Sequence, residues 1–331
     1  MKTRGILVAA VALALLAGCR ERRYFFHGGD VFGTTYRVKY EARAPFREEI
    51  QAVLARVDTS LSLFNERSLL SRLNRDEDVP VDDLFTRVFE MATRVHERTA
   101  GAFDITIAPL VNAWGFGPEG GRELTPARVD SLLSFVGTRR LALRDGRLVK
   151  EKKGIRVDAG AIAKGLGVDE VARLLEGKGV ENYLVEIGGE VRVKGQSDTR
   201  AAWWIGVLDP LEEAREGQQA TRLVIATREG ALATSGNYRN FREREGQRYG
   251  HTIDPRTGYP VQRDVLSASV FAASCMEADA YATAFMVMGL EESCRLVEDD
   301  PALEACLIFR DGEGNARTWL SRGFREMVIR E

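Results

Sequence analysis

The chain has 331 residues, 44% of them hydrophobic and 29% charged, the balance of a protein with a substantial buried core. Its formal net charge of −2 supplies no basic field, which argues against a nucleic acid as partner. Four cysteines and three histidines, none in a zinc-type cluster, exclude a disulfide scaffold and a zinc module.

Residues 1–18 are expected to be a signal peptide. Lys2 and Arg4 form a charged start, and residues 6–16 are an apolar run too short to span a bilayer. The run ends in Leu16-Ala17-Gly18-Cys19, which resembles the lipobox of bacterial lipoproteins. That resemblance implies cleavage before Cys19, its lipidation, and a chain anchored to a membrane outside the cytoplasm, facing the periplasm. An ordinary secretory signal is the alternative. Residues 19–30 then read as a polar linker and residues 31–331 as the folded domain. With Cys19 lipidated, Cys275, Cys294 and Cys306 remain, and small buried thiols account for them better than a disulfide.

The spacing predicts a strand over residues 31–40, where Tyr36, Val38 and Tyr40 alternate with Arg37 and Lys39. Helices are predicted at residues 46–63, with Ile50, Val53, Leu54, Val57 and Leu61 on one face, and at 84–98, with Leu84, Val88, Met91 and Val95 inside. Residues 62–65 and 68–74 read as a polar junction between them. Gly101 caps the second helix and leads into Ala102-Phe103-Asp104-Ile105-Thr106. Thr125-Pro126 opens a helix to residue 136, with proline at its first position.

Short strands at 141–143, 148–150 and 155–157 precede a helix from Ile162 to about residue 175. Further strands are predicted at 182–187, 190–194, 203–208, 221–227, 247–253 and 267–271. A helix from Cys275, a helix at 290–298, and strands at 305–309 and 317–320 complete the chain. Most successive strands are joined by short turns, which predicts an α+β fold of mainly antiparallel sheets with packed helices. Two intimately packed subdomains are compatible with this pattern, although composition marks no boundary.

Four polar segments carry candidate chemistry. In residues 274–289, SCMEADAYATAFMVMG, Ser274 and Glu277 form a capping box, and Tyr281, Ala284, Phe285 and Met288 form a stripe facing the core. Asp279 and Thr283, an i, i+4 pair on nearly the opposite side, together offer oxygen to one hard cation. A solvated Asp279 and a Thr283 bonded to its own helix is the plainer alternative. Residues 157–165, VDAGAIAKG, read as a strand-to-helix turn presenting N–H groups and Lys164 to an anion, without the spacing of a P-loop or a dinucleotide fold. In residues 249–260, Asp254-Pro255-Arg256-Thr257-Gly258 is turn chemistry, and His251 before it is either a general base or a structural histidine. Residues 233–240, ATSGNYRN, read as a polar loop between strands. No activated serine or cysteine nucleophile is recognisable.

Six blocks, in order, resemble those of the ApbE-type flavin transferases (FAD:protein FMN transferases). They are GAFDITIAPLVNAWGFGP, DAGAIAKGLGVDEVA, YLVEIGGEVRVKG, ATSGNYRNF, HTIDPRTGYPV and EADAYATAFMVMG. They cover nearly all of residues 31–289, and the lipobox suits a family with many lipoprotein members. The resemblance implies Mg²⁺-dependent transfer of FMN from FAD to a Thr or Ser hydroxyl of an acceptor flavoprotein, forming a phosphoester and releasing AMP. It implies a metal site with Asp279 and Thr283 as side-chain ligands and Ala161 as a backbone carbonyl. Ala282 belongs to the same site, at a position where some members carry an Asp, so water and pyrophosphate oxygens are expected to do more there. The implied flavin-binding residues are Phe32, Phe64, Ala102, Phe103, Asp104, Asp158, Lys164 and Ile253, with Phe32 standing where some members have Met. The nucleophile then lies on the acceptor, and His251 is the candidate base. Two other functions share these residues: hydrolysis of FAD to FMN and AMP, and flavin binding without catalysis.

Overall fold

The computed structural model describes residues 21–117, 124–211, 220–236, 241–244, 247–250 and 252–331. Its first element is a strand where a linker was expected. β1 (Arg23–Val31) pairs along its whole length with β2 (Thr34–Ala42), and Phe32 and Gly33 turn between them with φ of 50° and 74°. Residues 23–31 escape the alternation rule because they form an edge strand, where Gly28, Gly29 and Asp30 break the pattern.

Three helices follow: α1 (Arg47–Leu61), α2 (Leu69–Asn74) and α3 (Asp83–Arg98). The expected polar junction at 68–74 is therefore mostly helix. The Ser68 hydroxyl, read as junction chemistry, accepts the Ser71 N–H at 3.0 Å and caps α2. Asp82 does the same for α3 through the Phe85 N–H at 2.8 Å. α4 (Ala108–Trp114) and α5 (Pro126–Leu133) come next, then the hairpin of β3 (Leu141–Arg144) and β4 (Arg147–Lys150). Residues 155–157 belong to no strand. Instead Asn74 clamps Val157 at both backbone atoms, donating to its carbonyl at 2.8 Å and accepting its N–H at 2.7 Å.

The second half supplies α6 (Ala163–Gly177), β5 (Tyr183–Ile187), β6 (Glu190–Lys194), β7 (Trp203–Leu208), β8 (Thr221–Thr227) and β9 (Glu229–Gly236). β9 occupies half of the stretch read as a loop, since residues 233–236 pair with residues 267–270; residues 237–240 lie outside the described residues. β10 (Phe241–Arg244), β11 (Gln247–Gly250), β12 (Val265–Ala272), α7 (Cys275–Met288) and α8 (Leu290–Asp299) come next. β13 (Glu304–Arg310), β14 (Ala316–Leu320), α9 (Arg322–Met327) and β15 (Val328–Arg330) end the chain.

Among the described residues, eight strands form one antiparallel sheet in the order β1-β2-β5-β6-β9-β12-β13-β14. Alternation divides its side chains between two faces. One face packs Ala268, Val270, Ala305 and Leu307 against the helices, with α7 at the centre of that layer. The other packs Val191, Val193, Leu232, Cys306 and Ile308 against the smaller sheet β15-β8-β7, through Trp203, Ile205, Leu223 and Ile225. The fold is α+β, as its strand connections predict. Cys275, Cys294 and Cys306 are free, and the first and last of these are buried.

α7 differs from its predicted form. Its start agrees, with the Ser274 hydroxyl accepting the Glu277 N–H at 3.2 Å. Yet it is buried on every side, including Ala278, Asp279, Ala280 and Ala282, so no single stripe faces the core. A helix apolar all round must sit inside the protein, and α7 is enclosed by the sheet, α6, α3 and α8. Tyr281 and Phe285 are fully buried, and burial of a phenylalanine side chain such as Phe285 contributes roughly 1.5–3 kcal/mol.

Candidate active site

A cavity of about 820 Å³ opens where one end of the large sheet meets α6 and α7. This volume suits a cofactor-sized ligand. The β5–β6 turn contributes Gly188 and Glu190, and β9 contributes Thr234, Ser235 and Gly236. The turn into α6 contributes Asp158, Gly160, Ala161 and Lys164, and α7 contributes Asp279 and Thr283. Ala102, Phe103, Asp104 and Ile253 complete the part of the lining that the sequence singles out.

Asp279 is 2% exposed, which rules out the solvated carboxylate. Its Oδ2 accepts the Gly165 N–H at 3.0 Å, and its Oδ1 lies 3.8 Å from Lys164 Nζ. The absence of Lys or Arg one turn away along α7 therefore does not leave Asp279 unpaired. The cation comes from α6, more than a hundred residues earlier. Thr283 is not bonded to its own helix; its hydroxyl meets Ser235 Oγ at 3.1 Å.

Lys164 is shared. Its ammonium is 2.8 Å from Glu190 Oε1, and the other oxygen of Glu190 is buried without a hydrogen-bond partner among the described residues. Burial works against the Lys164 charge, but the Asp279 and Glu190 carboxylates more than offset it and hold the ammonium above the ordinary lysine range. For Glu190, burial outweighs the pull of Lys164, and the Asp279 charge adds to it, so its carboxyl titrates well above the usual range. Gly188, at φ 64°, turns the chain just before Glu190, and a Cβ there would meet Thr34 Cγ2 at 2.8 Å.

The turn into α6 is shaped differently from the expected anion cradle. The Ile162 and Ala163 N–H groups bond to the Ala159 carbonyl, and the Gly165 N–H goes to Asp279. The helix start therefore compensates a carboxylate of the protein itself. Asp158 Oδ1 accepts the Gly160 N–H at 2.7 Å, and burial pushes this carboxyl up despite that bond. Gly165 permits the approach of α6 to α7, because a Cβ there would lie 2.4 Å from the Cys275 carbonyl oxygen.

Asp104 is held from beneath. Its carboxylate accepts the N–H groups of Thr106 at 2.7 Å and Thr138 at 2.9 Å, together with both threonine hydroxyls. His96 Nδ1 lies 3.3 Å from Asp104 Oδ2 and 2.9 Å from the Phe103 carbonyl. Burial raises the Asp104 carboxyl, but these donors more than offset it and hold it below the usual range. The facing loop is built as its composition predicts: the Gly258 N–H returns to the Asp254 carbonyl at 2.8 Å, and Arg256 forks onto the Asp254 carboxylate.

The cavity thus gathers Ala102, Phe103, Asp104, Asp158, Ala161, Lys164, Ile253, Asp279 and Thr283. It does not gather three of the expected residues. Phe32 packs half-buried at the β1–β2 turn beside Gly167, and Phe64 is 83% exposed on the loop after α1. Ala282 is fully buried in the core and has no side-chain oxygen to offer a metal. His251 lies outside the described residues. Sequence reasoning missed the part played by Glu190 and Ser235. The paired glycines Gly188-Gly189 before Glu190, both at positive φ, were the available signal for the first; nothing local marked the second.

A buried carboxylate, a hydroxyl and a shared lysine at the end of an antiparallel sheet define a site built to receive a charged ligand. The chain belongs to the ApbE family, whose model matches residues 32–307. It is 39% identical over 307 residues to the FAD:protein FMN transferase of Vibrio cholerae, covering 89% of this chain and 91% of that protein. It is 36% identical over 327 residues to the FAD:protein FMN transferase of Haemophilus influenzae, covering 94% and 93%. The solved flavin transferase ApbE from Vibrio cholerae superposes with a TM-score of 0.82 at 34% identity, covering 92% of this chain and 99% of that one.

Proposed function

We propose that this protein transfers the FMN half of FAD to a Thr or Ser hydroxyl of an acceptor protein, with Mg²⁺ as the metal. The observation that carries the metal requirement is the charge of the cavity. Asp104 and Asp279 line it, and Lys164 is already shared between Asp279 and Glu190. A pyrophosphate would be repelled by such a wall unless a cation entered with it.

The residues present fit a hard cation. No group of three or more His, Cys, Asp and Glu side chains is arranged as a metal cage among the described residues. Mg²⁺ does not need one, since it takes one or two carboxylates and completes its shell with water and phosphate oxygen. Asp279 and Thr283 would hold it by side chain, with Ala161 offering its carbonyl. When bound, the ion neutralises charge developing on the pyrophosphate during attack.

The protein's own residues do the rest. Lys164, positioned by Glu190, faces the anionic ligand from α6. Phe103 and Ile253 give the cavity apolar surface for a ring system, and the locked Asp104 offers a fixed carboxylate to hydroxyl or ring N–H donors. The acceptor hydroxyl bonds to the FMN-side phosphorus, the pyrophosphate bridge breaks, and AMP leaves. Its proton passes to a base, for which His251 is the candidate. We propose further that Cys19 carries lipid and anchors the enzyme on the periplasmic side of a membrane.

Incubating the full chain with FAD, Mg²⁺ and a Thr-bearing acceptor protein tests this. The expected product is an acceptor heavier by one FMN phosphoester, with AMP released in equal amount. FMN and AMP without an adduct would instead establish hydrolysis, and bound but intact FAD would establish flavin binding alone.

A further inference from the structure

The two helices that flank the cavity hold each other by their first turns. Gly165 and Asp169 lie one turn apart on the same face of α6, and Cys275 and Asp279 are spaced alike on α7. The Gly165 N–H donates to Asp279 Oδ2 at 3.0 Å. In return the Cys275 N–H donates to Asp169 Oδ1 at 3.0 Å, and the Met276 N–H to Asp169 Oδ2 at 2.9 Å. Each helix thus carries, one turn in, a carboxylate that takes up free N–H groups at the start of the other.

Asp169 is in turn fixed from the sheet. It is 5% exposed, and Arg192 of β6 donates to its Oδ1 at 2.7 Å. Glu190, Arg192 and Lys194 alternate along β6 and so share one of its faces. Each meets an opposite charge on α6: Lys164 at 2.8 Å, Asp169 at 2.7 Å and Glu176 at 3.3 Å. Of these three α6 residues, Asp169 is the one that also accepts the backbone of α7.

This arrangement bears on the metal because the candidate ligands come from both sides of the α6–α7 contact. Ala161 lies in the turn into α6, whereas Asp279 and Thr283 lie on α7. Cys275, Asp279 and Thr283 follow one another at one-turn steps, so the bond at Cys275 sets the height of both ligands. Mg²⁺ demands near-octahedral oxygens at about 2.0–2.1 Å, which leaves little room for one helix to slide on the other.

We propose that Asp169 is a positioning residue of the metal site. It sets the register of α7 on α6, and thereby the placement of Asp279 and Thr283 relative to the Ala161 carbonyl. Asp169 itself lies outside the cavity lining. The proposal rests on the reading that Asp279 and Thr283 hold Mg²⁺.

The test uses the full chain with equimolar FAD and with Mn²⁺, which takes the same oxygen ligands; free Mn²⁺ is read from its EPR signal. Asp169→Ala is expected to weaken Mn²⁺ binding about tenfold, and Asp169→Asn, which keeps one acceptor oxygen, by less. Half-saturation of FMN transfer should move to higher Mg²⁺ by a similar factor, with the parent's rate reached at saturation. Ser274→Ala removes the cap that α7 supplies for itself and leaves its bonds to α6 in place. It should lower the urea midpoint yet bind Mn²⁺ as the parent does. Folded Asp169 variants with the parent's Mn²⁺ affinity would overturn the proposal. So would a loss in Ser274→Ala as large as that in Asp169→Ala, since affinity would then follow helix stability alone. Should Asp169→Ala not fold, Asp169→Asn decides by the same criterion. A parent that binds no Mn²⁺ would overturn the metal reading itself, whereas parental binding with unmoved Asp169 variants overturns the positioning alone.

Discussion

Lys164 Nζ lies 2.8 Å from Glu190 Oε1, and this pair joins the start of α6 to the turn between β5 and β6. It places the cavity's ammonium between two buried carboxylates, Glu190 and Asp279. The site is therefore an electrostatic unit assembled from three distant segments of the chain.

Removing the ammonium should be costly. Lys164→Met keeps the stem but leaves both carboxylates without their cation, and breaking a buried pair this way costs about 3 kcal/mol. Urea denaturation should show a lower midpoint with an unchanged slope. Glu190→Gln in the same background should recover part of the loss. A double variant no more stable than Lys164→Met alone would mean that the pair is not coupled.

Gly165→Ala tests the approach of α6 to α7. The added methyl would meet backbone, the Cys275 carbonyl oxygen at 2.4 Å and Met276 Cα at 2.8 Å, so the helices must part. Overpacking of this type costs about 1–3 kcal/mol, and the shift also draws the Gly165 N–H away from Asp279. The expected outcome is a destabilised protein whose FAD turnover requires more Mg²⁺. Parental stability would show that the helices yield freely.

The His96–Asp104 pair predicts a pH dependence of known sign. Asp104 raises the His96 pKa above the ordinary value of about 6.5, outweighing burial. Stability from this proton is fully present below about 6.5 and is lost as pH rises through the raised folded value. Asp104, held low, contributes above the ordinary carboxylate range and loses its share only as pH falls through its depressed value. His27 runs the other way, because burial and then Arg47 depress it. The comparison of parent with His96→Gln isolates the pair. The variant should be less stable by about 2 kcal/mol at pH 5.5, and the gap should narrow as pH rises. A gap constant from pH 5.5 to 9 would show that folding leaves the His96 pKa unchanged.

Asn74→Ala should loosen the turn that carries Asp158. Asn74 makes both of its hydrogen bonds to Val157, one residue before, and two lost bonds cost about 2 kcal/mol. FAD should bind more weakly in calorimetry while the core unfolds with its usual slope. Unchanged FAD affinity would separate this turn from the ligand.

The strands of the large sheet are mostly legible in the sequence, because alternation marks β2, β5, β6 and β13 directly. β1 and β9 are not. Glycines interrupt β1. The small residues Ala231, Ala233, Ser235 and Gly236 give β9 the composition of a loop, although its pairing with β12 places it mid-sheet. The cap of α7 is legible, but its burial is not, since burial on the polar side depends on Lys164 and Gly165 arriving from α6. The residue pattern brings out Asp279, Thr283 and Lys164, family resemblance adds Asp104, and the cavity gathers all four. Glu190 becomes visible only once the β5–β6 turn sets it beside Lys164. Phe32 and Phe64 show the reverse: their places in the resemblance do not correspond to places in the cavity lining.

The central claim is that Asp279 holds a catalytic Mg²⁺ in this cavity, and one titration tests it most directly. FMN transfer is followed by acceptor mass against Mg²⁺ concentration for the parent, Asp279→Asn and Asp279→Ala, with circular dichroism as the folding control. Asp279→Asn retains an oxygen for the Gly165 N–H, so the fold should persist while the charge is lost. Both variants should fold and lose Mg²⁺-dependent transfer by roughly 10²-fold or more, Asp279→Asn almost as completely as Asp279→Ala. A folded variant with the parent's rate and the parent's Mg²⁺ dependence would contradict the account, because the cation would then be held elsewhere.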